Sequence, residues 1–410
     1  SVIVGKYVGE QALAAVGTST PIMNIAILLI SGMCMGASVL MSSQYGAKDY
    51  DTLSRQISTT MLAGCGFSVV FSLLMLLLAN PVLRLIRVPE TAIPEAAAYL
   101  RIIFMGLIFT FMYNFLANTM RALGDSKTPL YFLVTSAFLN IFGDLFFVVV
   151  LRWGVAGSAI STVCSEGLCC LLCGIYIKKK IPLLCLGKKW WVFDKSLLGK
   201  TVSYGSTSAM QQVCLQLGKL IIQSVVNTQG VAVMAAFTAV NRVDDFAYTP
   251  QQNIGHAMTT FLAQNKGAGH KERMKKGFQT GLLIELVYSI GLFCVIWGLA
   301  PQIMTLFAED GDAQVVSLGI SYLHLISWMY ILPGLTNGVQ GFFRGIGDLK
   351  VTLYSTFMNM FGRVVAVFVM IRLLQMEFAS LAWANMVGWI VMLLFEVPLL
   401  VKSMRNGECG

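Results

Sequence analysis

Charged side chains are scarce. Asp, Glu, Lys and Arg make up 12% of the 410 residues, about half the share that a soluble domain carries. So few charges cannot cover a water-facing surface, and a soluble globular protein is excluded. Histidine is nearly absent, with three in the chain. The ten cysteines fall mostly inside apolar stretches, Cys164, Cys169, Cys170 and Cys173 among them. The run Cys169-Cys170-x-x-Cys173 has no histidine nearby to complete a metal set, so these thiols read as small apolar packing groups. There is no Walker pattern, which argues against ATP as the driving force. There is no nucleophile or metal constellation either, so an enzyme is not expected, and no cofactor.

What the chain has in quantity is apolar. It is 56% hydrophobic with a mean hydropathy of +0.73. Spans read near 11–41, 57–79, 97–119, 129–151, 155–177, 203–225, 231–262, 278–300, 314–341, 351–374 and 378–401, each long enough to cross about 30 Å of hydrocarbon. The net charge of +9 sorts by side. Of the 29 Lys and Arg, 20 fall in the loops 42–56, 120–128, 178–202, 263–277 and 342–350 or after residue 401, against six on the opposite side (Lys6, Arg84, Arg87, Arg101, Arg152 and Arg372). That asymmetry is the positive-inside pattern. The basic excess therefore reports topology and not a nucleic-acid partner. It predicts a multi-pass protein of the plasma (inner) membrane with a cytoplasmic C-terminus. A basic partner-binding loop at 178–200 is the weaker reading of the lysines there.

The chain repeats itself. The stretch 121-RALGDSK-127 matches 344-RGIGDLK-350 at an offset of 223, as Tyr99-Leu100 matches Tyr322-Leu323; Ala14-Ala15 matches Ala235-Ala236 and Gly46-Ala47 matches Gly267-Ala268 at an offset of 221. Subtracting the offset from the span at 203–225 leaves only Ser1–Val4 as the stub of a first helix. The expectation is an all-α integral membrane fold: two six-helix bundles from an internal duplication, twelve transmembrane helices with the first truncated. The halves are 1–177 and 203–410, joined by a lysine-rich cytoplasmic linker, 178–202, with Pro182 as a helix breaker. Two copies of the same orientation fit bundles that rock against each other. Gly124 and Gly347 suit tight turns, and Asp125 and Asp348 suit caps of the helices that follow.

Within the span 129–151, Asn140 and Asp144 stand four residues apart and share a helix face. A carboxylate in hydrocarbon costs about 2.5–3.5 kcal/mol on insertion scales. The next span carries Thr162 and Glu166 at the same spacing. At the repeat offset Asp144 becomes Val367 and Asn140 becomes Arg363, so the fold does not obviously require the acid. Intramembrane acids mark functional sites by default. The alternative is that Asp144 caps or pairs within its bundle.

At this point the residues meet a known family. The stretches 9-GEQALAAVGTSTPI-22, 121-RALGDSKTP-129, 140-NIFGDLFFV-148, 154-GVAGSAIST-162 and 264-QNKGAGHKER-273 resemble the multidrug and toxic compound extrusion (MATE) transporters, whose superfamily also holds lipid-linked oligosaccharide flippases. The resemblance implies two six-helix bundles around a central cavity and export of amphipathic, often cationic organic compounds in exchange for Na⁺ or H⁺. It implies a cation site at Asn140, Asp144 and Thr162, with Asp144 and Asn140 as Na⁺ ligands. Glu166 replaces the family's Gln and either adds a second carboxylate or faces a helix junction. The family's first-helix Asp would fall immediately before Ser1. Oxygen ligands suit a hard cation, and a desolvated carboxylate can hold H⁺ instead; binding that differs between two conformations biases their equilibrium.

The remaining polar residues in spans stay open. Gln211, Gln212, Asp244, Asp245 and Gln252 are candidates for a substrate cavity. Against this, the amides hydrogen-bond between helices, and the acids form an ion-pair cluster around Arg242. Lys219, Arg242 and Arg363 are the basic residues inside spans. Glu285 and Glu396 fit either role. His256 and His324 read as hydrogen-bonded structural groups. Pro21, Pro250 and Pro333 are candidate kinks. The expected partners are a small organic substrate and membrane lipid, with no nucleic acid, for a monomer. A flippase of a lipid-linked precursor is the alternative. It would favour clustered cavity cations for a pyrophosphate, and three dispersed basic residues do not supply them.

Overall fold

Apolar runs become helices because each must satisfy its own backbone in lipid. The structure, a computed structural model, describes residues 2–85, 88–90, 92–181, 191–307, 313–374, 378 and 380–405. No strand occurs among them. The chain divides into two compact units, residues 1–45 with 49–209, and 46–48 with 210–410.

The helices of the first unit are α1 (Val2–Tyr7), α2 (Glu10–Gly46), α3 (Tyr50–Leu85), α4 (Ile93–Met105), α5 (Leu107–Ala122), α6 (Lys127–Asp144) and α7 (Gly154–Lys180). α1 outruns the expected stub by three residues. Pro182 lies outside the described residues. α4 and α5 are one apolar stretch bent by 45°. The bend falls at Gly106, where an added Cβ would lie 2.4 Å from Val163 Cγ2 on α7. α7 packs against α4, α5 and α6. The core includes Ile30, Leu53, Leu100, Phe104, Phe111, Phe115 and Met120, all buried. After the linker the chain is tied to α3: Val192 N donates to Ser58 Oγ (3.0 Å) and Asp194 N to Thr59 Oγ1 (3.1 Å). Asp194 also pairs with Arg55 at 2.5 Å and accepts from Ser196 N at 2.8 Å.

The second unit takes most of α8 (Lys195–Val226) and then α9 (Val231–Gly267), α10 (Lys271–Phe307), α11 (Ala313–Ser327), α12 (Ile331–Ile346), α13 (Leu349–Phe368) and α14 (Ser380–Arg405). A 3-10 turn, Trp328–Tyr330, joins α11 to α12, at the place where α4 meets α5 in the first copy. α6 and α13 both run on into π-helical turns, Leu145–Val150 and Val369–Leu373. Eight described helices are long and apolar enough to cross a membrane, or nine with the bent pair. Their outward faces carry exposed Leu73, Leu77, Phe142, Leu283, Val287 and Phe361, as a lipid-facing surface does.

Burial follows the repeat. At offset 221, buried Leu53, Ile57, Ser68, Ala79 and Leu83 of α3 fall on buried Met274, Phe278, Ser289, Ala300 and Met304 of α10. Gly124 (φ 96°) and Gly347 (φ 87°) occupy the left-handed region in matching turns. Asp125 Oδ1 accepts from Thr128 N at 3.0 Å, as expected of a cap. Asp348 makes no such bond. Its helix begins one residue earlier in the repeat, which puts Asp348 itself at the N-cap position. Pro21 and Pro250 sit inside α2 and α9, which continue through them.

Candidate functional site

In the first unit the polar residues converge where α6 turns into its π segment. Gly143 makes the approach possible: a Cβ there would lie 2.5 Å from Ser161 Oγ on α7. With that methyl missing, α7 presents the hydroxyls of Ser158, Ser161, Thr162 and Ser165 on successive turns of one face. Asn140 Nδ2 donates to Thr162 Oγ1 (3.1 Å) and to Ser161 Oγ (3.4 Å). Ser161 Oγ donates back to the Asn140 carbonyl (2.9 Å), and Thr162 Oγ1 donates to the Ser158 carbonyl (3.1 Å). Asp144, 6% exposed, ends α6 beside Ser158 and Ser161. Its Oδ1 is buried and accepts no hydrogen bond among the described residues. Asn140, Asp144 and Thr162 therefore share one neighbourhood.

Glu166 lies one turn beyond Thr162 and accepts a hydrogen bond from Thr110 Oγ1 of α5. Tyr99 of α4, buried, stands near both Asp144 and Glu166. Thr110, Tyr99, Ser158 and Ser161 were not among the site residues expected from the sequence. The serines carried a signal, since Ser158, Ser161, Thr162 and Ser165 follow helical spacing. Thr110 and Tyr99 carried none, because their contacts come from other helices. Among the described residues no group of three or more His, Cys, Asp or Glu side chains could hold a metal ion. The donors here are carboxylate, amide and hydroxyl oxygens, a set suited to a hard cation and not to a transition metal.

The second unit spends its acids differently. Asp244, 4% exposed, accepts from Tyr330 Oη (2.5 Å) and Tyr322 Oη (3.3 Å), and Asn385 Nδ2 donates to Tyr322 Oη (2.8 Å). Arg363 lies nearby. At the repeat offsets these positions are Met23, Leu107, Tyr99, Thr162 and Asn140. The acid has thus moved to another helix, and a basic group stands where the first unit has Asn140.

The five cavity candidates do not form one cluster. Gln211, 3% exposed, donates to Thr356 Oγ1 (2.9 Å) and to Gln340 Oε1 (3.2 Å), in a buried network that Arg344 joins through Gln340 at 2.6 Å. Glu396, fully buried, lies near Arg344. Gln212 is half-buried. Asp245 is exposed and pairs with Lys219 at 3.4 Å, in place of the expected cluster around Arg242. Gln252 is exposed, and buried Gln251 beside it bonds to Ser289 and to the Tyr330 carbonyl. Neighbouring residues on a helix point about 100° apart, which separates 211 from 212, 244 from 245 and 251 from 252.

Helices of this length, duplicated and carrying acids at membrane depth, define a multi-pass α-helical membrane protein. The family model described as MatE matches residues 1–146 and 208–370. The Bacillus subtilis (strain 168) protein named probable multidrug resistance protein YpnP is 31% identical over 86% of this chain and 78% of its own length. The Thermotoga maritima protein named probable multidrug resistance protein NorM is 22% identical over 93% of this chain and 82% of its own. The fold matches a solved structure described as MATE in complex with MaL6, with a TM-score of 0.92 at 20% identity, covering 99% of this chain and 92% of that one. The chain belongs to the MatE family of membrane transporters.

Proposed function

We propose that the protein is a secondary active antiporter that exports amphipathic, often cationic organic compounds across the plasma (inner) membrane, in exchange for Na⁺ or H⁺, by alternating access. One observation carries the ion coupling. Asp144 is buried at the end of a membrane-crossing helix, beside the hydroxyls of Ser158 and Ser161, with an oxygen that accepts no hydrogen bond among the described residues. An unpaired carboxylate at such a place is stable only when something cancels its charge. A cation held by Asp144 with Asn140 and Thr162, or a proton on Asp144, does so. If that ion is held more tightly in one conformation than in the other, its gradient drives the cycle. Glu166, hydrogen-bonded by Thr110, adds a second acid to the same reading.

The names of the Bacillus and Thermotoga relatives support organic export. A flippase is less favoured. Of the basic residues it would need, Lys219 pairs with Asp245 and Arg363 lies near Asp244, so they do not form a cluster for a pyrophosphate. The test is efflux of a fluorescent organic cation from cells lacking their own exporters, with Na⁺ and pH varied. Ion-dependent efflux by the parent, lost in Asp144→Asn while that variant is present in the membrane, supports the proposal. Equal efflux by both removes Asp144 from coupling.

A further inference from the structure

The first unit's acid has an obvious reading; the buried acid on α10 does not. Glu285 lies in the middle of α10, inside the span Lys271–Leu306. It is fully buried, and neither carboxylate oxygen has a hydrogen-bond partner among the described residues. Two neighbours from α9 and α10 converge with it on α12. A Cβ built on Gly334 would lie 2.9 Å from Ser289 Oγ, 3.2 Å from Gln251 Nε2 and 3.4 Å from Glu285 Oε2. The orientation of Gln251 is fixed by its partners. Its Nε2 donates to the Tyr330 carbonyl (2.9 Å), which can only accept, and to Ser289 Oγ (3.1 Å). Ser289 Oγ donates onward to the Glu285 carbonyl at 2.7 Å. Gln251 Oε1 is then left buried without a partner. The three unsatisfied atoms, Glu285 Oε1, Glu285 Oε2 and Gln251 Oε1, are all acceptors when the acid is ionised. What the cluster lacks is positive charge or a proton.

The duplication shows that the fold does not require this. At the repeat offsets Glu285 corresponds to Gly64, Gln251 to Ile30, Ser289 to Ser68 and Gly334 to Phe111. In the first unit Ile30 and Phe111 are buried in one apolar core. The Phe111 ring fills the space at Gly64: a Cβ there would lie 1.9 Å from Phe111 Cζ. The second unit reverses the sizes. The glycine is on α12 and the large side chain, now an acid, is on α10. An apolar solution to the same packing problem exists in the same chain, and the second unit has a polar one. The polar version also adjoins the 3-10 turn Trp328–Tyr330, whose Tyr330 carbonyl is one of Gln251's partners. Backbone broken at membrane depth is where transporters commonly hold ions.

We propose that Glu285, with Gln251 and Ser289, forms a binding site for a small monovalent cation, H⁺ or Na⁺, in the second unit, separate from Asp144. The ionisable groups around it belong to other partnerships. On its own helix, Tyr288 Oη donates to the Ala247 carbonyl. On α9, Asp244 is held by the phenols of Tyr322 and Tyr330, Asp245 pairs with Lys219, and His256 has its own interaction; Tyr248 packs its ring on Tyr330, with its buried hydroxyl lacking a hydrogen-bond partner among the described residues. On α11, His324 stacks on Trp297. On α12, Arg344 bonds to Gln340.

The test reads binding and does not depend on transport. Infrared difference spectra of the purified full chain are recorded on a pH jump at constant ionic strength, and on exchanging choline for Na⁺ at constant pH. The variants are Glu285→Gln, Asp144→Asn and the double change Glu285→Gly with Gly334→Phe, which copies the first unit's packing. The expected result is a carboxyl band change in the parent with one component that is lost in both Glu285 variants and kept in Asp144→Asn. A response to pH alone assigns H⁺; a response to Na⁺ at constant pH assigns Na⁺. Parent-like spectra in Glu285→Gln overturn the inference. So does a failure of both Glu285 variants to fold, which would make the acid part of the scaffold. Loss of the Asp144 response alone would bear on the antiporter reading and leave this site standing.

Discussion

Gly143→Ala tests whether the meeting of α6 and α7 builds the first-unit site. The new methyl would sit 2.5 Å from Ser161 Oγ and 3.2 Å from Ser161 Cβ, so the serine must move or the helices must part. Overpacking of this kind costs about 1–3 kcal/mol. Displacing Ser161 also breaks its 2.9 Å bond to the Asn140 carbonyl, worth about 1 kcal/mol. The gain from replacing a helical glycine by alanine is about 1 kcal/mol. The net expectation is a loss of about 1–3 kcal/mol, read by equilibrium SDS unfolding in mixed micelles. A second readout separates packing from site loss. A cation at tenfold its Kd stabilises the folded protein by about 1.4 kcal/mol, and this increment shrinks in Gly143→Ala because Ser161 and Asn140 no longer hold their places. Adding Ser161→Ala removes the oxygen the methyl strikes. It restores part of the stability but not the cation increment. A Gly143→Ala protein as stable as the parent, with the full increment, would refute the role given to this glycine.

Four further outcomes are expected. Thr110→Val leaves the Glu166 carboxylate without its donor, and efflux at saturating substrate falls while Thr110→Ser retains it. Tyr330→Phe removes the 2.5 Å bond to Asp244 and destabilises the second unit by about 1.5–3 kcal/mol in SDS unfolding, more than Tyr322→Phe, whose bond is 3.3 Å. Asp194→Ala loses the cap of α8 and the Arg55 pair, costing about 0.5–2 kcal/mol and speeding protease cleavage of the stretch before α8. Lys219→Ala changes stability by no more than about 1 kcal/mol, because both partners of its pair are more than half exposed.

Much of the fold was legible because hydropathy and repetition act over long stretches. The eleven spans and the offsets of 221 and 223 match the helices and their buried faces. The bend at Gly106 was not legible: the apolar pattern runs straight through 97–119, and the close neighbour of Gly106, Val163, is on another helix. The π turns after α6 and α13 leave no mark in hydropathy either. In the candidate site, spacing paired Asn140 with Asp144 and Thr162 with Glu166, the family resemblance joined Asn140, Asp144 and Thr162, and the structure brings these three together. Thr110 and Tyr99 were not, since inter-helix partners carry no local signature. The amides near 211 and 252 looked alike in composition but face different surroundings once helical rotation is applied. Glu285 stayed open in the sequence because its meaning lies in Gly334, 49 residues later, and in the inverted pair Gly64 and Phe111.

The central claim is that Asp144 couples an ion to export. It is tested most directly in proteoliposomes of the purified protein, by following a fluorescent organic cation while a Na⁺ or a pH gradient is imposed. The parent is predicted to move the compound against its own gradient when one of these gradients is present. Asp144→Asn is predicted to show no gradient-driven movement while remaining folded. Gradient-driven transport of parental size in Asp144→Asn would contradict the account.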